Sequence, residues 1–193
     1  MSKIDPIHDR GQALEDEYFR RVDQKLLEEL REKNERERLI DELTKATGLH
    51  DEELLGALLD AGIDASKVAA LALTPLVFVA WADGTITSDE RQAVISAALR
   101  QGVAGNPFAF KLLEQWLQTR PRRQLWTLWQ AYAGELHRAI PPTTADKLAA
   151  RLVAQAAEVA KASGGVLGIG KISAQEQRVI DEITATLPQH NAS

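Results

Sequence analysis

Residues 79–90, Val-Ala-Trp-Ala-Asp-Gly-Thr-Ile-Thr-Ser-Asp-Glu, read as a helix end, a tight acidic turn and the start of a second helix. A worn copy of the same unit returns at 159–176. Val159 to Gly164 matches Val79 to Gly84 with Ser163 in place of Asp83, and Gly165 to Gly170 is then inserted. Lys171-Ile172-Ser173 and Glu176 resume the match with Thr85-Ile86-Thr87 and Glu90. Two such units in one domain constrain the chain to a helical body with an internal pseudo-two-fold helix–loop–helix repeat.

The remaining sequence agrees with that constraint. Proline and glycine fall between segments of helical period, and no stretch sustains the period-two alternation of a half-buried strand. With 45% hydrophobic and 26% charged residues in 193, the chain is long and apolar enough to bury a proper core. The expected fold is all-α, a helical bundle preceded by a long charged N-terminal helix. Residues 1–48 form an arm and residues 49–193 the bundle.

From about Asp9 to Ala46 the chain is rich in Glu, Arg, Lys, Gln and Leu, with Leu14, Tyr18, Val22, Leu26 and Leu30 in a narrow apolar stripe. Asp16–Arg20, Glu17–Arg21, Glu29–Lys33 and Glu32–Arg36 set acid before base four residues apart, each worth ~0.2–0.5 kcal/mol on an exposed helix. The stripe fades through Lys33 to Arg38, so this amphipathic arm needs a partner or the body of the domain to be stable. A protein partner or self-association through residues 9–46 is the expectation.

Gly48 ends the arm, and a short helix follows with Asp51 near its start, Leu54, Leu55, Leu58 and Leu59 inward, and Gly62 at its close. Asp64 or Ser66 opens a buried apolar helix that Pro75 kinks or splits. Thr87 to Glu90 has the capping-box pattern, and so does Ser173 to Glu176. Asn106-Pro107 starts one helix and Pro121 another. Thr143 or Thr144 caps a long helix after Pro141-Pro142. In that helix Ala149, Ala150, Ala154, Ala156 and Ala157 allow close approach of neighbours.

Composition excludes several classes of function. There is no cysteine, hence no disulfide and no thiolate chemistry. A net charge of −5 argues against bulk binding of nucleic acid or anionic lipid. The charged N-terminus has no signal-peptide pattern, and the apolar run Val68 to Ala82 falls short of the ~20 residues a bilayer requires. A cytoplasmic protein without direct membrane insertion is expected.

Ion chemistry has one foothold. Asp83, Gly84, Ile86 and Glu90 match the fifth, sixth, eighth and twelfth positions of an EF-hand loop, while Val79 and Trp81 stand where the early carboxylates belong. A self-sufficient calcium loop is therefore not expected. Asp83, Glu90 and Glu176 could converge on one hard divalent cation, Ca²⁺ or Mg²⁺, if the two bends face each other. Turn chemistry for Asp83 and capping boxes for both glutamates explain the same residues without an ion.

Ala82-Asp83-Gly84-Thr85-Ile86 with Glu90, echoed by Ala162-Ser163-Gly164 with Ile172 and Glu176, resembles the hallmark of the tellurite-resistance TerB-like family. The resemblance covers roughly residues 50–188. It implies an all-helical, internally symmetric domain with an acidic patch for a divalent cation. Such domains occur in bacterial stress and phage-defence systems, fused to co-chaperone or membrane modules, as interaction or sensing domains rather than enzymes. Asp83, Glu90 and Glu176 fit the family's acidic positions; Ser163 and the insertion depart from them. A structural or assembly protein working through its N-terminal helix is the alternative.

Other motifs are weaker. Gly165 to Lys171 has the spacing of a phosphate-cradling loop, but Ile172 replaces the Mg²⁺-binding hydroxyl and a helix precedes it where a strand belongs. Arg120, Arg122 and Arg123 beside Trp126 and Trp129 could stack on single-stranded nucleic acid. A core-facing stripe of Leu125, Trp129 and Tyr132 explains the same pattern, and no nucleic-acid partner is expected. The histidines have no ligand spacing, and no nucleophile–base pair stands out, so no catalytic residue is assigned.

Overall fold

The computed structural model describes residues 6–162 and 172–187, which form eight α-helices and no strand. The chain is an all-α helical bundle. Two compact units divide within the first helix, α1 (Pro6–Thr47), at Asp41/Glu42. Leu43 and Leu49, both buried, belong to the second unit.

In the first unit, α1 carries the apolar stripe as expected and leaves it uncovered. Tyr18, Phe19, Val22, Leu26, Leu27 and Leu30 are 43 to 64% exposed. Glu17 pairs with Arg21, but Glu29 pairs with Lys25 and Lys33 with Glu37, so the expected Glu29–Lys33 pair is replaced by its neighbours. The side chains of Leu14 and Asp16 lie outside the described residues.

The second unit comprises α2 (Glu52–Asp60), α3 (Thr74–Ala80), α4 (Ser88–Arg100), α5 (Pro107–Gln118), α6 (Arg123–Ala139), α7 (Pro142–Ala162) and α8 (Ala174–Thr186). The Asp51 carboxylate accepts the Leu54 amide at 3.0 Å and starts α2, and Gly48 before it takes a left-handed turn at φ 71°. The apolar run from Val68 does split at Pro75. Residues Val68–Leu73 wind as a 3-10 helix, and α3 begins at Thr74 with proline in its first turn, where its missing N–H costs nothing.

Every residue of α3 is buried, so this helix, apolar all round, is the axis of the unit. It packs against α4, α6, α7 and α8, and α7 also lies against α4 and α8. Close approach on α7 uses Ala145, Ala149, Ala156 and Ala160. Ala150 and Ala154 face solvent, one step off that 3–4 spacing.

Two helix starts differ from expectation. Pro142 opens α7 before either threonine can cap it, because its fixed φ suits the first helical position. Pro121 precedes rather than opens α6: Arg122 is extended (ψ 151°) and serves as N-cap. No helix among the described residues is long and apolar enough to cross a membrane.

Candidate functional site

The acidic bend is built by the end of α3 and the start of α4. Trp81 closes α3, and its indole N–H donates to the Trp116 carbonyl at 2.8 Å. Arg91, in the first turns of α4, donates to the Leu117 carbonyl at 2.6 Å. Both bonds satisfy carbonyls in the last turn of α5, which have no partner within their own helix, and the Arg91 charge suits that negative helix end. The bend is therefore clamped from both sides to α5. These partners are 35 and 26 residues away in sequence, and no spacing pattern announces them.

Between the clamps, Gly84 turns the chain at φ 99°, a region that side chains rarely adopt. Asp83 is exposed, and its Oδ1 accepts the Thr85 amide at 3.0 Å, an Asx turn. Ile86 is half-buried and pins the loop. At Thr87 both halves of the capping box form. Thr87 Oγ1 accepts the Glu90 amide at 3.2 Å, and Glu90 Oε2 accepts the Thr87 amide at 2.7 Å and the Thr87 hydroxyl at 2.8 Å.

A capping box forms at Ser173 too, with one bond fewer. Ser173 Oγ accepts the Glu176 amide at 3.2 Å, and Glu176 Oε2 accepts the Ser173 amide at 2.6 Å. Ser163, the inserted Gly165 to Gly170 and Lys171, with their phosphate-loop spacing, lie outside the described residues. Ile172, like Ile86, is half-buried.

The electrostatics are unusual for capping residues. Glu90 is 2% exposed and Glu176 3%. Burial raises the Glu90 carboxyl above its ordinary value; the Thr87 bonds pull it down, and the charges of Asp83 and Glu176 push it up again. Asp83 and Glu176 thus both lie within electrostatic reach of Glu90. Among the described residues no three His, Asp or Glu side chains are grouped so as to hold a metal ion. What the arrangement does as it stands is fix two helix starts and concentrate negative charge at one of them.

The Arg–Trp segment is resolved differently. Trp126 and Trp129 are buried and stack against each other and Phe78, with ring centroids 4.9 and 5.0 Å apart along the chain of three. Arg123 lies over Trp126 and pairs with Glu182 at 2.8 Å. These rings are buried with the core-facing stripe.

The chain matches no protein-family model, no curated protein and no solved structure.

Proposed function

We propose that the protein is a cytoplasmic, non-enzymatic helical interaction module of the TerB-like kind, serving a bacterial stress response, and that it associates with a second copy of itself through α1. The exposed stripe of Tyr18, Phe19, Val22, Leu26, Leu27 and Leu30 carries this reading. A contiguous run of large apolar side chains left in water on an otherwise polar helix is the mark of a contact surface.

Its spacing suggests the kind of contact. Residues 18, 22, 26 and 30 advance by four, forming a ridge slanted across the helix rather than the straight seam of a coiled coil. Two such ridges interdigitate at about −50°, which makes a short crossing and suits a stripe that stops at Leu30. Acidic and basic residues are nearly balanced over residues 17–41, so a second copy meets little repulsion.

Light scattering of the full chain over a range of concentrations tests this. Dimers in the wild type and monomers in Leu26→Glu are expected; Leu26 is exposed, so the substitution leaves the helix able to form. A wild type that stays monomeric at every concentration refutes self-association.

The charge conflict at Glu90 favours a second reading, in which a divalent cation, Ca²⁺ or Mg²⁺, settles among Asp83, Glu90 and Glu176. Proton and cation would compete for the same carboxylate. Mg²⁺ or Ca²⁺ should therefore raise the melting temperature more at pH 7.5 than at pH 5, and not at all in Asp83→Ala. A shift that ignores pH and the substitution places any ion elsewhere.

A further inference from the structure

The second unit contains a cavity of about 380 Å³ between the C-terminal end of α4, the second half of α6 and the first half of α7. Its walls are mainly apolar, with Trp129, Ala133, Leu136, Leu148 and Leu152 among them. The volume lies near the small end of ligand pockets, which run from roughly 300 to 1,000 Å³. Scaled from a cavity of roughly 150 Å³ that takes up benzene, it accommodates a molecule of about fifteen heavy atoms.

Two cationic side chains on the lining favour a negative head. Arg100 and Arg151 both line the cavity, and among the described residues no Asp or Glu does, in a chain whose net charge is −5. Arg100 shares its charge with Glu158 at 2.8 Å, whereas Arg151 has no ion pair among the described residues.

Gln155 supplies a hydrogen-bonding group on the cavity wall. It lines the cavity and is only 5% exposed, and its single side-chain bond among the described residues is with Gln101, whose Nε2 donates to Gln155 Oε1 at 2.8 Å. Whichever way the two amides are assigned, the pair uses one donor and one acceptor and leaves an NH₂ and a carbonyl without protein partners. Neither amide is a fully buried orphan: the unused NH₂ keeps solvent access and is available to a ligand's head. Tyr132, also on the lining, has its hydroxyl pushed up by burial and so stays a proton donor at neutral pH.

We propose that this cavity binds a small amphipathic carboxylate, its apolar body against Trp129, Ala133 and Leu152 and its head held by Arg151 and the Gln101–Gln155 amides. Dodecanoate has the right size and serves as the probe, with dodecanol as the uncharged control. Titration calorimetry on the full chain should give saturable binding of one dodecanoate per chain, with dodecanol roughly tenfold weaker. Arg151→Glu, at an exposed position, should weaken dodecanoate by a similar factor. Leu148→Trp should block the cavity at its mouth, where Leu148 is 46% exposed. Circular dichroism confirms that both variants are folded.

No saturable binding by the folded wild type, below the concentration at which dodecanoate self-associates, overturns the proposal. Equal binding of dodecanol overturns the carboxylate assignment. Binding that survives Leu148→Trp lies elsewhere on the molecule, the apolar stripe of α1 included, and overturns the site.

Discussion

Thr87→Ala should cost the second unit more than Ser173→Ala, although both residues are N-caps of complete capping boxes. Either substitution removes the hydroxyl that accepts an N3 amide at 3.2 Å. That loss is worth about 1 kcal/mol, within a range of roughly 0.5–2. Thr87 does a second thing that Ser173 does not: its hydroxyl donates to the buried Glu90 carboxylate at 2.8 Å. A hydrogen bond to a charged group adds ~1.5–3 kcal/mol, and removing it leaves the carboxylate buried with less support.

The expected losses are therefore about 1 kcal/mol for Ser173→Ala and roughly 2.5–4 kcal/mol for Thr87→Ala. All four tryptophans lie in the second unit, so urea unfolding followed by their fluorescence reports on that unit. The gap of ~2 kcal/mol corresponds to roughly 4–8 °C in melting temperature for a body of this size. Adding Glu90→Gln to Thr87→Ala should recover part of the loss, because the amide keeps an acceptor for the Thr87 N–H without a buried charge. Equal losses for the two alanine variants would refute the claim that the hydroxyl–carboxylate bond carries weight.

Two further outcomes can be measured on the same unit. The Glu90 carboxyl is raised from its ordinary 4.5, so between that value and the raised one the native state holds more protons than the unfolded state. Its contribution is present at low pH and lost as pH rises through the window; Glu90→Gln should flatten this fall in urea titrations from pH 4 to 7, and an unchanged slope refutes the assignment. Thr74 is fully buried with its Oγ1 unpartnered, so Thr74→Val, which keeps the shape and removes the orphan hydroxyl, should stabilise the unit by about 1 kcal/mol. A destabilised Thr74→Val would mean that the hydroxyl has a partner in solution.

Local chemistry was legible wherever one short segment decides it. Asp51, Thr87, Asn106 and Ser173 all cap the helices their patterns announce, and Pro75 divides the apolar run where its missing N–H requires. Pro142 opens the helix ahead of the threonines because its fixed φ suits the first helical position and its missing N–H would have no partner there in any case. Long-range features left no such trace. The clamps from Trp81 and Arg91 to α5 and the Gln101–Gln155 pair join residues 26 to 54 apart, where spacing carries no information. The cavity is assembled from α4, α6 and α7 together, and the few residues that each contributes make no pattern within its own segment.

The acidic bend and the α1 stripe invite different kinds of inference. Each carboxylate at the bend has a structural task in hand: Asp83 closes an Asx turn, and Glu90 and Glu176 cap helices. A cation there must either share the oxygens already accepting amides or draw on those that are not, and its gain comes from relieving repulsion at Glu90. A proton gives the same relief without moving a side chain. The six apolar residues on α1 have no comparable task within the described chain: beyond the edge-to-face contact of Tyr18 and Phe19, they neither cap a helix nor pack in the core. Features already explained by folding need a measured ion before they support a function. The proposed self-association rests on α1 because those six side chains stay exposed there.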